Sequence, residues 1–178
     1  LFGPTSAANA AEAFRKYSDK PVKAIVYTHS HGDHTGGASA FVGDEQPDIY
    51  ATESFGSAEG VNKAVDPVKQ KRNVRQFGRN LSPSESTNRG VAPAGTEDSD
   101  RGAGFLPPTV MVPIGGLKTT IAGVDIEFHI APGETDDAMF IWLPNERVLF
   151  PGDNFYSSFP NLYAIRGTAY RDVLSWSE

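Results

Sequence analysis

The most constraining stretch of this chain is residues 28–37, which read THSHGDHTGG. His29, His31 and His34, three of the chain's four histidines, fall within six positions together with Asp33. Imidazole and carboxylate are the usual ligands of a catalytic zinc ion. Four ligands this close exceed what one open catalytic site needs, so the stretch predicts two adjacent metal ions. A histidine-rich surface loop is the less favoured interpretation.

The residues before this stretch indicate where it lies in the fold. A helix is predicted over residues 5–17, capped by Thr5 or Ser6, and residues 23–28 (KAIVYT) form a β-branched run typical of a buried strand. A helix followed by such a strand indicates an α/β sheet, in which sites collect at the carboxyl ends of strands. The histidines begin where this strand is expected to end.

The rest of the chain is predicted to be helical first and β-rich later. Apolar residues at helical spacing over 61–81 are interrupted by Pro67. Residues 82–108 are rich in Ser, Gly, Pro and acids and predict a long irregular loop. The other predicted elements are a short turn or helix to Phe41, a strand at 48–52, two hairpins (117–122 with 124–130, and 138–143 with 147–150) and an irregular or helical segment over 161–176.

Composition excludes several classes of protein. The chain has 178 residues, a formal net charge of −6 and no cysteine. It is long enough for one domain, or part of a larger one, with a real core. Without cysteine it has no disulfide scaffold, thiolate zinc site or cysteine nucleophile. The acidic balance argues against nucleic acid as a partner. The basic residues of the second predicted helix are interpreted as a solvated face in preference to a phosphate-binding patch; they are Lys63, Lys69, Lys71, Arg72, Arg75 and Arg79.

Neither a membrane span nor a signal peptide is predicted. The longest apolar runs are far shorter than the roughly 18 residues that a span needs. Residues 1–10 lack the basic and apolar regions of a signal peptide. The compartment is therefore undefined by the sequence, and a periplasmic or secreted location is compatible with a chain that has lost a leader.

Three motifs in order carry a family resemblance. THSHGDHTGG resembles the HxHxDH signature of the metallo-β-lactamase superfamily. Residues 131–135 (APGET) resemble its PGHT loop, with Glu134 where most members have a metal-binding histidine. Residues 149–153 (LFPGD) resemble its LFxGD segment, whose aspartate bridges two metals.

The glutamate points to one branch of that superfamily. The alkyl sulfatase branch, the dodecyl sulfate hydrolases, is similar in having a Glu in this loop and a bridging carboxylate 19 residues later, the interval from Glu134 to Asp153. It also has an NLYxxRG segment, here residues 161–167 (NLYAIRG). One departure is Asp153 itself, which stands in GDN where the branch commonly has Glu in an AED-like run.

The resemblance implies a role for each matching residue. His29, His31 and Glu134 would hold a first metal, Asp33 and His34 a second, and Asp153 would bridge both. The expected ions are two zinc ions, with manganese or iron as alternatives because the site is rich in oxygen ligands. Hydroxide formed from a water that the metals share would cleave the ester. The expected catalytic residue is Asp33, and the expected substrate-binding residues are Arg166, Asn161 and Tyr163, with Arg166 facing the sulfate oxygens because guanidinium is a charged, bidentate donor.

The resemblance also implies an architecture. The superfamily fold is an α/β protein, an αβ/βα sandwich, and residues 1–178 are expected to form an incomplete catalytic domain of it. Strands before the first motif and a late histidine ligand have no counterpart here, so a fragment of a longer chain is expected. By this resemblance, the longer protein would carry C-terminal dimerisation and lipid-carrier-like domains, and a homodimer is therefore expected.

Three functional hypotheses follow. The first is a zinc-dependent hydrolase of sulfuric esters whose substrate is a small anionic alkyl sulfate. The second is another hydrolase of this superfamily, a lactamase, lactonase or thioesterase. The third is an inactive metal-binding fragment. His129, on the polar side of its predicted strand, is interpreted as an exposed or satisfied histidine, and Asp136 and Asp137 as loop residues or partners of a ligating histidine.

Overall fold

A computed structural model describes residues 3–57, 65–82, 84–87 and 102–178. Two sheets form the framework. The first is parallel, in the order β1-β2-β3, and the second is antiparallel, in the order β4-β5-β6-β7. The strands are β1 (Ala24–Val26), β2 (Asp48–Thr52), β3 (Val110–Val112), β4 (Leu117–Ile121), β5 (Val124–Ile130), β6 (Met139–Leu143) and β7 (Val148–Phe150). The helices are α1 (Pro4–Arg15), α2 (Gly32–Thr35), α3 (Ser39–Val42), α4 (Asp66–Gln76), α5 (Val173–Ser177) and a 3₁₀ helix (Gly152–Asn154).

The core lies between the facing sides of the two sheets. Tyr50 of β2 stacks on Phe128 of β5, with ring centroids 5.3 Å apart and planes 13° from parallel. Val112 and Met139 are fully buried in the same cluster. The backbone N–H of Met139 donates to the carbonyl of Thr28 at 2.9 Å, which ties the edge of one sheet to the other where the histidine stretch begins.

The other side of the first sheet packs against helices and loops. Alternation along β2 points Ile49 and Ala51 away from Tyr50 and into a second cluster with Tyr27. Ala38, Phe55 and Leu106 cover that cluster. The α/β class is therefore confirmed.

The strands follow the prediction closely with one exception. The strands expected at 48–52 and 124–130 have those bounds, and the other hairpin strands and the one at 23–28 form within their predicted ranges. Strand β3 was not predicted, because it is three residues long and Pro108 and Pro113 flank it. It forms since β2 offers an edge: the backbone of Ile49 donates to the Thr109 hydroxyl at 2.8 Å.

Both predicted long helices begin and end elsewhere. Helix α1 begins at Pro4 with Gly3 as its N-cap, so the cap predicted at Thr5 or Ser6 is wrong; proline without an N–H suits the first turn. Its buried face is Ala7 and Ala11. Pro67 lies in the first turn of helix α4, which begins at Asp66, and does not interrupt the helix, for the same reason. Residues 61–64, and 83 and 88–101 of the predicted loop, lie outside the described residues.

The final segment is irregular up to α5, as one of the two predicted alternatives had it. Within the described ranges, no helix combines the length and the apolar character that crossing a membrane requires.

Candidate metal centre

The histidine stretch turns sharply as it leaves strand β1. His31 is the extended N-cap of the four-residue helix α2, and its carbonyl accepts hydrogen bonds from the His34 backbone at 2.9 Å and the Thr35 hydroxyl at 3.3 Å. This turn places the ring of His29 4.7 Å from that of His31 and 4.3 Å from that of His34, centroid to centroid. The cluster therefore lies at the carboxyl end of a strand, as expected from an α/β sheet.

A second loop delivers Glu134 to the same place. The loop after β5 is closed by a bond from the Ala131 N–H to the Ala138 carbonyl at 3.0 Å. The side chain of Asn154 holds the loop from outside: its Nδ2 donates to the Ala131 carbonyl at 2.6 Å, and its Oδ1 accepts from the Glu134 backbone at 3.1 Å. A Cβ at Gly133 would lie 2.5 Å from that Oδ1, so this close approach requires glycine.

Asp153 comes from the 3₁₀ helix that follows β7. Gly152 begins this helix with φ +58°, and a Cβ there would lie 2.8 Å from Cβ of Thr28. The backbone at Gly152 thus packs directly on the residue that precedes His29. This contact sets the spacing between the Asp153 carboxylate and the imidazoles.

Two groups of candidate ligands result. In the first, His29 Nε2 lies 3.1 Å from His31 Nδ1, and Glu134 Oε2 lies 3.5 Å from each of these nitrogens. In the second, His29 and His34 lie with Asp153, whose Oδ2 is 3.3 Å from His34 Nε2. The ligand atoms of each group lie within 4.8 Å of one another.

Asp33 stands beside the second group. Its Oδ2 lies 3.6 Å from His34 Nε2, and its side chain is 38% exposed, the same as that of Asp153. All six residues predicted as ligands, from three separate parts of the chain, are therefore brought together.

The first group fits a divalent cation. Donor atoms about 2.1 Å from a four-coordinate ion lie about 3.4 Å from each other, close to the three distances between its atoms. Glu134 Oε2 is buried and has no hydrogen-bond partner among the described residues, although it faces two imidazole nitrogens. A buried carboxylate oxygen in this position is an open acceptor that a cation would satisfy.

The pKa values of His29 and His31 are shifted in opposite directions, so the two rings differ in how readily they would bind a metal ion. Burial, then the nearby imidazoles of His34 and His31, lowers the pKa of His29 to about 4. Its ring is therefore neutral at pH 7, the form that binds metal. The adjacent Glu134 carboxylate raises the pKa of His31, so that a proton competes with a cation there.

The carboxylates shift in opposite directions. Burial acts to raise the pKa of Glu134, but His31, Asp153 and Arg171 together outweigh it and hold that pKa well below its usual range. Burial and the neighbouring Glu134 raise the pKa of Asp153. Two carboxyls in contact thus differ in how readily they ionise, as neighbouring acids do.

Arg171 is a functional candidate that the sequence did not single out. It is 7% exposed, and its Nη2 donates to Glu134 Oε1 in an ion pair. In the sequence it is one arginine in a segment without periodicity, and only its closeness to Arg166, five positions earlier, gave any signal.

A cavity of about 330 Å³ opens beside the first group of ligands. Arg166 and Arg171 line it together with His31 and Glu134, and helix α4 forms part of its wall through Lys69. Burial, then the like charge of Arg171, lowers the pKa of Arg166, which remains a cation at neutral pH.

The other two predicted substrate-binding residues, Asn161 and Tyr163, are not among the described residues that line this cavity. The Asn161 backbone carbonyl accepts from Arg171 Nη1 at 2.6 Å, and its residue is exposed. The side chain of Tyr163 is 55% exposed. Arg166 is held by a bond from its own backbone N–H to Gln76 Oε1 at 2.9 Å, and its guanidinium lies over the Phe77 ring.

The fourth histidine and the two loop aspartates have separate surroundings, and the exposed Asp136 lines the cavity beside the ligands. His129 Nε2 lies 2.9 Å from Glu127 Oε2, and its ring stacks on Phe140 on the outer side of β5, which confirms a satisfied histidine. Asp137 is fully buried, and its Oδ2 accepts from the Gly56 backbone at 2.8 Å. It therefore anchors the ligand loop to the segment after β2.

Comparisons with known proteins agree with this geometry. A family model described as the metallo-beta-lactamase superfamily matches residues 1–172. The linear primary-alkylsulfatase of a Pseudomonas sp. is 37% identical over 172 residues, which cover 92% of this chain and 32% of that protein. The alkyl/aryl-sulfatase BDS1 of Saccharomyces cerevisiae is 32% identical over 174 residues, which cover 93% of this chain and 26% of that protein.

Solved structures show the same architecture. The stereoselective inverting sec-alkylsulfatase Pisa1 from Pseudomonas sp. superimposes with a TM-score of 0.81 at 25% identity, over 99% of this chain and 29% of that chain. The metallo-beta-lactamase family protein TTHA1429 from Thermus thermophilus has a TM-score of 0.59 at 21% identity, over 99% of this chain and 56% of that chain. The chain thus spans between 26% and 32% of the length of the two curated relatives above.

Proposed function

The chain belongs to the metallo-β-lactamase superfamily, and from that premise we propose that it forms the metal-binding catalytic part of a hydrolase of alkyl sulfate esters. The observation that carries this proposal is the placement of Glu134, with His29 and His31, beside a cavity lined by Arg166. Relatives named alkylsulfatases support the substrate class.

The proposed ligand set combines the two groups of side chains with Asp33, which lies beside the second group. His29, His31 and Glu134 would hold one ion, and Asp33 and His34 the other, with Asp153 between them. Zinc is the proposed ion, and manganese and iron are the alternatives, because three of the six residues offer oxygen. Divalent ions held there would polarise the ester and acidify a water molecule near neutral pH.

The chain's own groups would supply the rest of the chemistry. Asp33 is the proposed catalytic carboxylate: with the oxygen beside His34 available to hold an ion, its other oxygen would take up the proton of the attacking water. Arg166 would bind the sulfate oxygens with its fork of N–H donors, because Phe77 and Gln76 hold this residue beside the ligands. We propose Asn161 and Tyr163, from the same segment, as further substrate contacts.

The test is sulfate release from dodecyl sulfate by the full-length protein. His31→Ala and Asp33→Ala should abolish release, and His129→Ala, at a histidine that contacts Glu127 and Phe140, should leave it unchanged. Release that survives the first two changes would contradict the proposal. Nitrocefin, homoserine lactone and glutathione thioester substrates would reveal the lactamase, lactonase or thioesterase alternatives.

Metal content provides an independent check. Elemental analysis should give two metal ions per chain in the wild type and fewer in Glu134→Ala. Hydrolysis in ¹⁸O-water then identifies the bond that breaks, because the label appears in the alcohol for C–O cleavage and in sulfate for S–O cleavage.

A further inference from the structure

We propose that Arg171 is a positioning residue of the metal centre, which holds Glu134 so that only one of its carboxylate oxygens faces the imidazoles. The inference rests on the proposed function, because it assigns to Arg171 a role in the metal affinity of that site. Three observations support it: the contacts that hold Arg171, the different partners of the two Glu134 oxygens, and the burial of the ion pair.

Arg171 is itself held in place from several sides. Its Nη1 donates to the Asn161 carbonyl at 2.6 Å, and its guanidinium carbon lies 5.9 Å from the centre of the Trp176 ring. Trp176 in turn donates from Nε1 to the Asn154 carbonyl at 3.0 Å. A guanidinium with fixed neighbours presents its remaining donors in a fixed direction.

The ion pair gives the two oxygens of the Glu134 carboxylate different partners. Oε1 is taken by Arg171, whereas Oε2 lies 3.5 Å from both His29 Nε2 and His31 Nδ1. Only Oε2 is therefore available to a cation. Without Arg171 the carboxylate could rotate about its last bond and present either oxygen or neither.

Burial makes this contact matter. The Glu134 side chain is 12% exposed and that of Arg171 is 7% exposed, so water competes only weakly with the guanidinium as a partner. Groups that hydrogen-bond to a metal ligand from behind typically raise metal affinity about 10- to 100-fold. The opposing effect is repulsion between the Arg171 cation and a bound metal ion, which acts to weaken affinity. We expect orientation to outweigh repulsion.

The test measures zinc affinity of the full-length protein by competition with a chromophoric chelator. Arg171→Met should weaken binding of the tighter zinc ion about tenfold or more, and Arg171→Lys should recover part of that loss. Arg15→Met, an exposed arginine on α1, is the matched control and should change nothing. Circular dichroism in the presence of chelator checks that the variants are folded. If Arg171→Met does not fold, the zinc affinity of Arg171→Lys is compared with that of the wild type instead.

A double-mutant cycle separates positioning from a general structural role. In a Glu134→Gln background, Arg171→Met should cost little further affinity, because the ion pair is already lost. Equal losses in both backgrounds would overturn the inference, as would unchanged or tighter zinc binding in Arg171→Met. A raised KM for dodecyl sulfate with unchanged zinc affinity would make Arg171 a substrate contact instead. Absence of zinc binding by the wild type would overturn the proposed function, and this inference with it.

Discussion

The side chain of Asn154 accepts a hydrogen bond from the backbone N–H of Glu134, so the residue that follows one candidate ligand fixes the loop that carries another. Asn154 also donates to the Ala131 carbonyl at 2.6 Å. The 3₁₀ helix that presents Asp153 is thus hydrogen-bonded to the start and the middle of the ligand loop.

Replacing Asn154 should therefore loosen the site and the fold together. Asn154→Ala removes two partly buried hydrogen bonds, and we expect it to lower the free energy of unfolding by about 1–3 kcal/mol. Zinc affinity should fall as well. The same substitution at exposed Asn145, whose amide donates to the exposed Asp125 carboxylate, should cost less than about 0.5 kcal/mol in urea unfolding. Equal effects of the two changes would contradict the assigned role.

The contact between Gly152 and Thr28 gives a second prediction. Gly152→Ala places a methyl 2.8 Å from Thr28 Cβ at a residue with φ +58°, so both strain and overlap should destabilise the protein. Gly123→Ala, at φ +86° with open space around it, shows the backbone strain alone. We expect about 1 kcal/mol for Gly123→Ala and about 1–3 kcal/mol more for Gly152→Ala, in paired thermal melts.

Packing between the sheets gives a third prediction. Phe128 is 1% exposed and stacks on Tyr50, so Phe128→Ala should cost about 3–5 kcal/mol of unfolding free energy. Phe14→Ala removes the same group from a residue that is 61% exposed and should be close to neutral. A small loss at Phe128 would mean that the two sheets do not share this core in solution.

The lowered pKa of His29 predicts how acid affects the metal-free protein. Between pH 6.5, the ordinary value, and about 4, the unfolded chain binds a proton at this residue that the folded chain does not. Stability should therefore fall as the pH falls through this window, by up to about 3 kcal/mol from His29. The measurement is urea unfolding in the presence of chelator at several pH values, for wild type and His29→Gln. The pKa of His31 is raised, so His31 contributes to stability with the opposite pH dependence, but it is present in both proteins and the comparison isolates the effect of His29. Parallel pH profiles would contradict it.

Some elements could be predicted from the sequence because their pattern is local. Strict alternation over residues 124–130 gave the bounds of β5, and the density of imidazoles indicated His29, His31 and His34 as candidate ligands. Strand β3 could not be predicted this way, because three residues between prolines become a strand only when β2 lies alongside.

The side chains that hold the candidate ligands in position could not be predicted from the sequence, for the same reason. Nothing near Asn154 or Arg171 in the sequence indicates that their side chains reach Ala131 and Glu134, 23 and 37 positions away. Such contacts depend on how loops meet in space. Candidate ligands could therefore be predicted from the histidine cluster and the family resemblance, whereas the groups that hold them in position could not.

The candidate ligands have one more consequence, for how the chain is held together. In the sequence, His29 is separated from both Glu134 and Asp153 by roughly a hundred residues or more. A cation bound by His29 and either of these carboxylates would therefore close a very long loop of the unfolded chain. This chain has no cysteine to do so covalently. A bound ion would act as a removable cross-link, and a chelator would act on this protein much as a reductant acts on a disulfide-bonded one.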